Sequence, residues 1–131
     1  MYTETDKDGS KFWYNDQGQL HRQDGPAIEW LDGGTTWYQD GEIHRIDGPA
    51  CEAENGDQWW YQHGKCHRED GPAIINYIIN RKMWYYHGKL HRLDGPAIIW
   101  GDRKIWCIKG KEIKASSQHE FERYLKLKAF W

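Results

Sequence analysis

The sequence predicts an all-β repeat domain: an antiparallel meander of β-hairpins whose sheet curls, ending in a C-terminal α-helix. Three observations carry this reading. The string His-Arg-x-Asp-Gly-Pro-Ala occurs at 21–27, 44–50, 67–73 and 91–97, with its histidines 23, 23 and 24 residues apart. Each string is preceded by a Trp-Tyr pair (Trp13-Tyr14, Trp37-Tyr38, Trp60-Tyr61, Trp84-Tyr85) and then a glycine (Gly18, Gly41, Gly64, Gly88). From Ser117 onward the pattern changes to apolar residues three and four apart. Self-similarity at such a period marks supersecondary units that bury their faces only against their neighbours.

The chain reads as a single domain over 1–131, and its elements follow in order. Residues 1–9 form a partial repeat, a returning strand with its turn, and residues 10–102 hold the four repeats. In the second copy Thr35 to Gln39 is the outgoing strand, rich in β-branched and aromatic side chains. Asp40-Gly41 tolerates the positive φ angles of a tight hairpin turn. The chain returns through Glu42 to Ala53, and Asn55-Gly56 turns it again. Asp47-Gly48-Pro49 interrupts that returning strand, because proline lacks a donor and glycine favours a bulge, so a bend in every repeat curls the sheet. Residues 103–114 supply a fifth outgoing strand as a cap, with Trp106-Cys107 in place of Trp-Tyr and no His-Arg string after it. Residues 115–131 form the amphipathic helix, opened by a capping box of Ser117 with Glu120 and striped by Phe121, Tyr124, Leu125 and Ala129.

Composition narrows the function classes. Eighteen basic against twenty acidic side chains give no net positive field, which argues against duplex DNA as a ligand. No apolar run reaches the ~18 residues of a membrane span. Met1 to Ser10 is polar and acidic rather than basic then apolar, so the expected location is the cytoplasm. Cys51, Cys66 and Cys107 are odd in number and lack Cys-x-x-Cys spacing. Cys51 aligns with Ile28, Ile74 and Ile98, and Cys66 with Leu20, Ile43 and Leu90, which makes them small buried hydrophobes.

The Trp-Tyr, Gly, His, Gly succession resembles the MORN repeat, and the His-Arg-x-Asp-Gly-Pro-Ala wording resembles its divergent MORN-like variant in bacteriophage and giant-virus proteins. The likeness covers residues 10 to 113. It implies an extended or rolled β-sheet with a binding or scaffolding role. The usual unit reads His-Gly-x-Gly where this chain has His-Arg-x-Asp-Gly, so the lipid binding of eukaryotic repeats is not carried over.

Four histidines and four aspartates at regular intervals invite a metal or acid-base reading. Equivalent residues of successive hairpins stand two strands apart, about 9.6 Å, whereas the ligands of one zinc lie ~2 Å from it. No metal and no cofactor is therefore expected. Each Arg precedes its Asp by two positions, on one face of a strand, where a charge-assisted pair can brace the Gly-Pro bend; the alternative or additional role for the aspartate is to accept from a turn amide. The histidine is expected to stack on a Trp of the neighbouring strand and to hydrogen-bond to backbone, and the repeat-aligned Trp to form the core.

Contact function is expected where the copies differ. The extra aromatics Trp30, Trp59, Tyr86 and Trp100 stand outside the repeat. The position after His-Arg is Gln23, Ile46, Glu69 and Leu93, of which Ile46 and Leu93 are apolar. A second column runs Glu29, Glu52, Ile75, Ile99, so one sheet face turns apolar along the molecule. The C-terminal helix is the nearest cover for it, docking on the third and fourth repeats, with a partner protein or a second copy of the chain as alternatives. The expected function is non-enzymatic binding, by a phage-type accessory protein that engages, and inhibits, a host or viral protein such as a defence enzyme. A nucleotide sponge, with aromatics stacking a base and Arg or Lys holding phosphate, is the alternative. A hydrolase would have only His63, His87 and His119 free for catalysis.

Overall fold

The computed structural model describes residues 1–128. An eleven-stranded antiparallel sheet follows the chain in sequence order, with a single helix near its C-terminal end. The strands are Tyr2–Thr5, Lys11–Tyr14, Ile28–Glu29, Thr35–Thr36, Cys51–Glu52, Gln58–Trp59, Ile74–Asn76, Arg81–Met83, Ile98–Trp100, Arg103–Ile108 and Lys111–Ile113. The sheet is not closed: its first and last strands do not pair.

Beside this sheet runs a row of small hairpins, Tyr38–Gln39 with Glu42–Ile43, Tyr61–Gln62 with Lys65–Cys66, and Tyr85–Tyr86 with Lys89–Leu90. A Tyr14–Leu20 bridge takes that place in the first copy. At the tips Asp40, His63, His87 and Lys109 adopt φ of 46° to 51°, and the glycine after each is also left-handed. Two consecutive left-handed residues make the tight turn whose twist suits a hairpin, and glycine at the second avoids the Cβ penalty. Successive hairpins are joined by backbone bonds, such as Gly64 N–H to the Ile43 carbonyl at 2.8 Å and Arg45 N–H to the Tyr61 carbonyl at 3.0 Å.

The outgoing strand expected over Thr35 to Gln39 is broken at Trp37. The Trp37 N–H donates to the Ala50 carbonyl on one side of the Gly-Pro bend, and its carbonyl accepts from His44 N–H on the other. The bend thus hands the strand from the long sheet to the hairpin row. The fifth copy lacks the Gly-Pro string, and there Arg103–Ile108 runs unbroken, pairing first with Ile98–Trp100 and then with Lys111–Ile113.

The register places Phe12, Ile28, Thr36, Cys51, Trp59, Ile74, Met83, Ile98 and Ile105 along one face. On the other face Ile75 and Ile99 flank Lys82, with Lys104 beside Ile99. That face is therefore an Ile–Lys alternation, in which lysine stems lie beside the isoleucines, rather than a continuous apolar strip.

The helix, Gln118–Leu127, does not dock on the third and fourth repeats as expected. Phe121 is fully buried in a cluster with Trp106, Ile108 and Ile113, and Ala115, Tyr124 and Leu125 pack around it. The helix belongs to the last hairpin because Trp106 is the repeat tryptophan that no guanidinium covers. Ser117 caps it by accepting from the Glu120 N–H, while the Glu120 carboxylate accepts from Ser116 N–H and Oγ, one residue earlier than a simple capping box. Ala129 lies outside the described residues. In the repeats the fully buried residues are small: Ala27, Ala50, Ala73 and Ala97 are all 0% exposed. Burial pushes the Cys66 thiol up to about 12 and raises Cys51 and Cys107 as well, in keeping with inert packing.

Candidate functional site

The repeated string builds a stack. Arg22, Arg45, Arg68 and Arg92 lay their guanidinium carbons 4.0, 4.0, 3.8 and 3.9 Å over the ring centroids of Trp13, Trp37, Trp60 and Trp84. Nη1 of each donates to the carbonyl of the following proline, at 3.1 to 3.2 Å. Nε of Arg45, Arg68 and Arg92 donates to Asp47, Asp70 and Asp94, as expected of the brace. The guanidinium leaves no room behind it: a Cβ on Gly48 or Gly95 would stand 2.8 or 2.7 Å from the arginine Cζ. Glycine in the string therefore serves the arginine as much as the bend.

The histidine does not stack on a tryptophan. Nδ1 of His21, His44, His67 and His91 accepts from the N–H of Asp40, His63, His87 and Lys109, the left-handed tip residues of the next copy. The rings of His44 and His67 instead lie tilted against those of His63 and His87, each pair 4.3 Å between centroids. Backbone bonding was legible in the sequence; the partner was not, because arginine is the better cation for an indole face. The repeat tryptophans are half-buried, and only Trp106 reaches the core.

These stacks leave clefts between successive strings. The largest, 820 Å³, lies between the third and fourth, walled by Arg68, Asp70, Trp84, Tyr86, Arg92 and Leu93. Its cations are spent: Arg68 and Arg92 hold Asp70 and Asp94 at 2.9 Å, and the hydrogen bond from Arg68 keeps the Asp70 carboxyl below its ordinary value. The corresponding cleft one repeat earlier, 320 Å³, is edged by Ile46 and Trp60.

The six contact candidates thus fall into separate places. Tyr86 and Leu93 line the largest cleft and Ile46 its neighbour. Trp30 and Trp59 flank a 260 Å³ cleft on the apolar face of the sheet, over Thr36 and Cys51, with Trp30 Nε1 bonded to Thr36 Oγ1 at 3.0 Å. Trp100 stands apart, between Arg81 and Arg103. No three His, Cys, Asp or Glu side chains gather as metal ligands among the described residues. His63, His87 and His119 are exposed and no shared centre unites them.

Two features were missed in the sequence. Tyr77, Ile78 and Ile79 form an exposed turn tip, with Ile78 at 80%. Charge is also segregated: residues 1–57 carry thirteen acidic and four basic side chains, residues 58–131 seven acidic and fourteen basic. A near-neutral total concealed this, although comparing halves would have revealed it. No helix is long and apolar enough to cross a membrane among the described residues. Comparison with family models, curated proteins and solved structures finds no match.

Proposed function

We propose that this MORN-like chain is a non-enzymatic binding protein that engages a protein partner across the clefts between its repeat strings, with Tyr86, Leu93 and Ile46 as contacts. On this reading it is a phage-type accessory protein acting on a host or viral protein in the host cytoplasm. The observation that carries the proposal is the combination of exposed apolar side chains with self-neutralised walls. Ile46 is 73% and Leu93 55% exposed, each beside an arginine already paired to its own aspartate. Such a surface offers apolar anchors and satisfied polar rims, the makeup of a protein interface. The large cleft has no unpaired arginine for a phosphate, which weighs against a nucleotide there.

The test uses tagged full-length protein as bait in host lysate, with the captured protein identified and then titrated in purified form. A stoichiometric complex weakened at least tenfold by Leu93→Glu and Ile46→Glu, with both variants melting like the parent, is the expected outcome. A complex indifferent to both substitutions, or turnover of a substrate by the protein alone, overturns the proposal.

A further inference from the structure

Beside the large cleft, sharing Tyr86 and His91 with it, lies a second cleft of different chemistry. It is 270 Å³ in volume and lined by Tyr86, His87, Lys89, His91 and Lys109. Every lining side chain is aromatic or basic. Lys89 and Lys109 have no ion-pair partner among the described residues. The stem of Lys89 packs across the next tip, its Cβ 3.6 Å from where a Cβ on Gly110 would stand, which sets both lysines on adjacent hairpin tips. Tyr86 is held by its neighbours, with ring centroids 4.4 Å from His87 and 5.9 Å from His91, yet stays 44% exposed.

The repeats supply an internal control. The same five positions one copy earlier are Gln62, His63, Lys65, His67 and His87, and two copies earlier Gln39, Asp40, Glu42, His44 and His63. The backbone at these tips repeats, with left-handed Asp40, His63, His87 and Lys109 bonded to the preceding histidine each time. Only the last copy combines an aromatic ring with two lysines, and it lies in the half of the chain with fourteen basic against seven acidic side chains. A scaffold does not require this exchange, since the earlier tips fold with carboxylates in those places. A positive field over a cleft raises the local concentration of anions.

We infer that the cleft between Tyr86, Lys89 and Lys109 binds a nucleotide, its phosphate held by the two ammonium groups and its base lying against the Tyr86 ring. Lysine is a compact cation suited to phosphate, and a base–aromatic stack is tolerant of base identity. The small volume fits a phosphate with part of one ring rather than an engulfed ligand, so the affinity is modest. The inference is distinguished from the protein-binding proposal by its lysines: Lys89 and Lys109 line this cleft and not the larger one, whereas Tyr86 borders both.

The experiment is isothermal titration of the full-length protein at low ionic strength with ATP, AMP, inorganic phosphate and adenosine. ATP and AMP should bind more tightly than inorganic phosphate, and adenosine should be weakest. Lys89→Glu with Lys109→Glu should weaken nucleotide about tenfold or more. Tyr86→Ala should erase the advantage of AMP over inorganic phosphate while leaving phosphate bound. If the charge reversals disturb the melting curve, Lys89→Gln with Lys109→Gln, which keeps the stems, should reproduce the loss. Phosphate binding equal to that of AMP in the parent would replace the nucleotide with a free phosphoryl anion and overturn the assignment. Absence of binding at millimolar nucleotide, adenosine binding as well as AMP, or binding unmoved by the lysine substitutions would overturn it too.

Discussion

The same tryptophan position is covered in two ways in this molecule. In the four repeats a guanidinium lies about 4 Å over the indole. In the fifth copy a helix does that work: Phe121 packs 6.3 Å from Trp106, and Trp106 Nε1 donates to Gln118 Oε1 at 2.8 Å. The contrast explains why a chain with so few large buried side chains still folds. The stack of tryptophan, arginine and glycine is self-contained and can be iterated, because each unit satisfies its own charge and neighbours are linked by backbone bonds and by the histidine that accepts from the next tip. The C-terminal end of the repeats substitutes an apolar cluster, the one place among the described residues where a large side chain is fully buried.

If the cap is the principal apolar core, breaking it should have the largest effect. Phe121→Ala is expected to cost about 3–5 kcal/mol, a large share of a domain's ~5–15, and to lower Tm by roughly 10–20 °C. Truncation after Ile113 should do at least as much and promote association. A truncated chain that melts like the parent would mean that the repeats are autonomous and the helix an accessory. Within the repeats, Gly95→Ala is expected to cost at most about 1–2 kcal/mol, the worth of the stack and its hydrogen bond, because the new methyl would meet Arg92 2.7 Å away and lift it from Trp84. Thermal melting orders the two variants, and a Gly95→Ala as harmful as Phe121→Ala would mean that the stacks, not the cap, hold the fold.

How much of this could be read in the sequence follows from what repetition reports. The hairpin tips, the Gly-Pro bend, the Arg–Asp brace and the Ser117 cap all rest on local rules, and each stands where those rules put it. The break at Trp37, the guanidinium on the indole and the histidine reaching the next tip depend on how the two rows of strands meet, which spacing alone does not contain. The same holds for the candidate contacts. Exposure of Ile46 and Leu93 follows from variation between copies, but that Trp30 and Trp59 border one cleft requires the register from Ile28–Glu29 through to Gln58–Trp59. The cluster at Tyr86, Lys89 and Lys109 was hidden differently, because its lysines sit in columns that are acidic in an earlier copy.

A smaller effect separates the members of the stack. Arg45→Ala loses both the cover over Trp37 and the 3.1 Å bond to the Pro49 carbonyl, about 1–2 kcal/mol in all. Asp47→Ala removes only a partner whose side chain is 84% exposed, a type of surface pair with a median of about 0–1 kcal/mol. Urea midpoints should therefore fall clearly for Arg45→Ala and barely for Asp47→Ala. Equal losses would return the aspartate to the role of brace and demote the indole stack.

The gentlest perturbation is acid, and it should act on the repeats before the cap. His44 and His91 each accept a backbone N–H at Nδ1, from His63 and Lys109 at 2.9 Å. A proton on that nitrogen occupies the lone pair the tip needs. Burial lowers the affinity of both rings for the proton, with the neighbouring His63 and Lys109 adding to it, so both titrate below the ordinary 6.5. Between their folded values and 6.5 the unfolded chain binds more protons than the native one, so stability rises with pH across that window. The contribution is complete above about 6.5 and is lost as pH falls toward the folded values. Unfolding midpoints measured from pH 8 down to pH 5.5, above the range where carboxylates titrate, should decline, and His44→Gln should flatten part of the slope. Hydrogen exchange gives the spatial test: the amides of His63 and Lys109 should lose protection over this range, while those around Phe121, which has no histidine acceptor beside it, should not. Uniform loss across both regions would mean that repeats and cap unfold as one cooperative unit, and that the two ways of covering a tryptophan are not separable in stability.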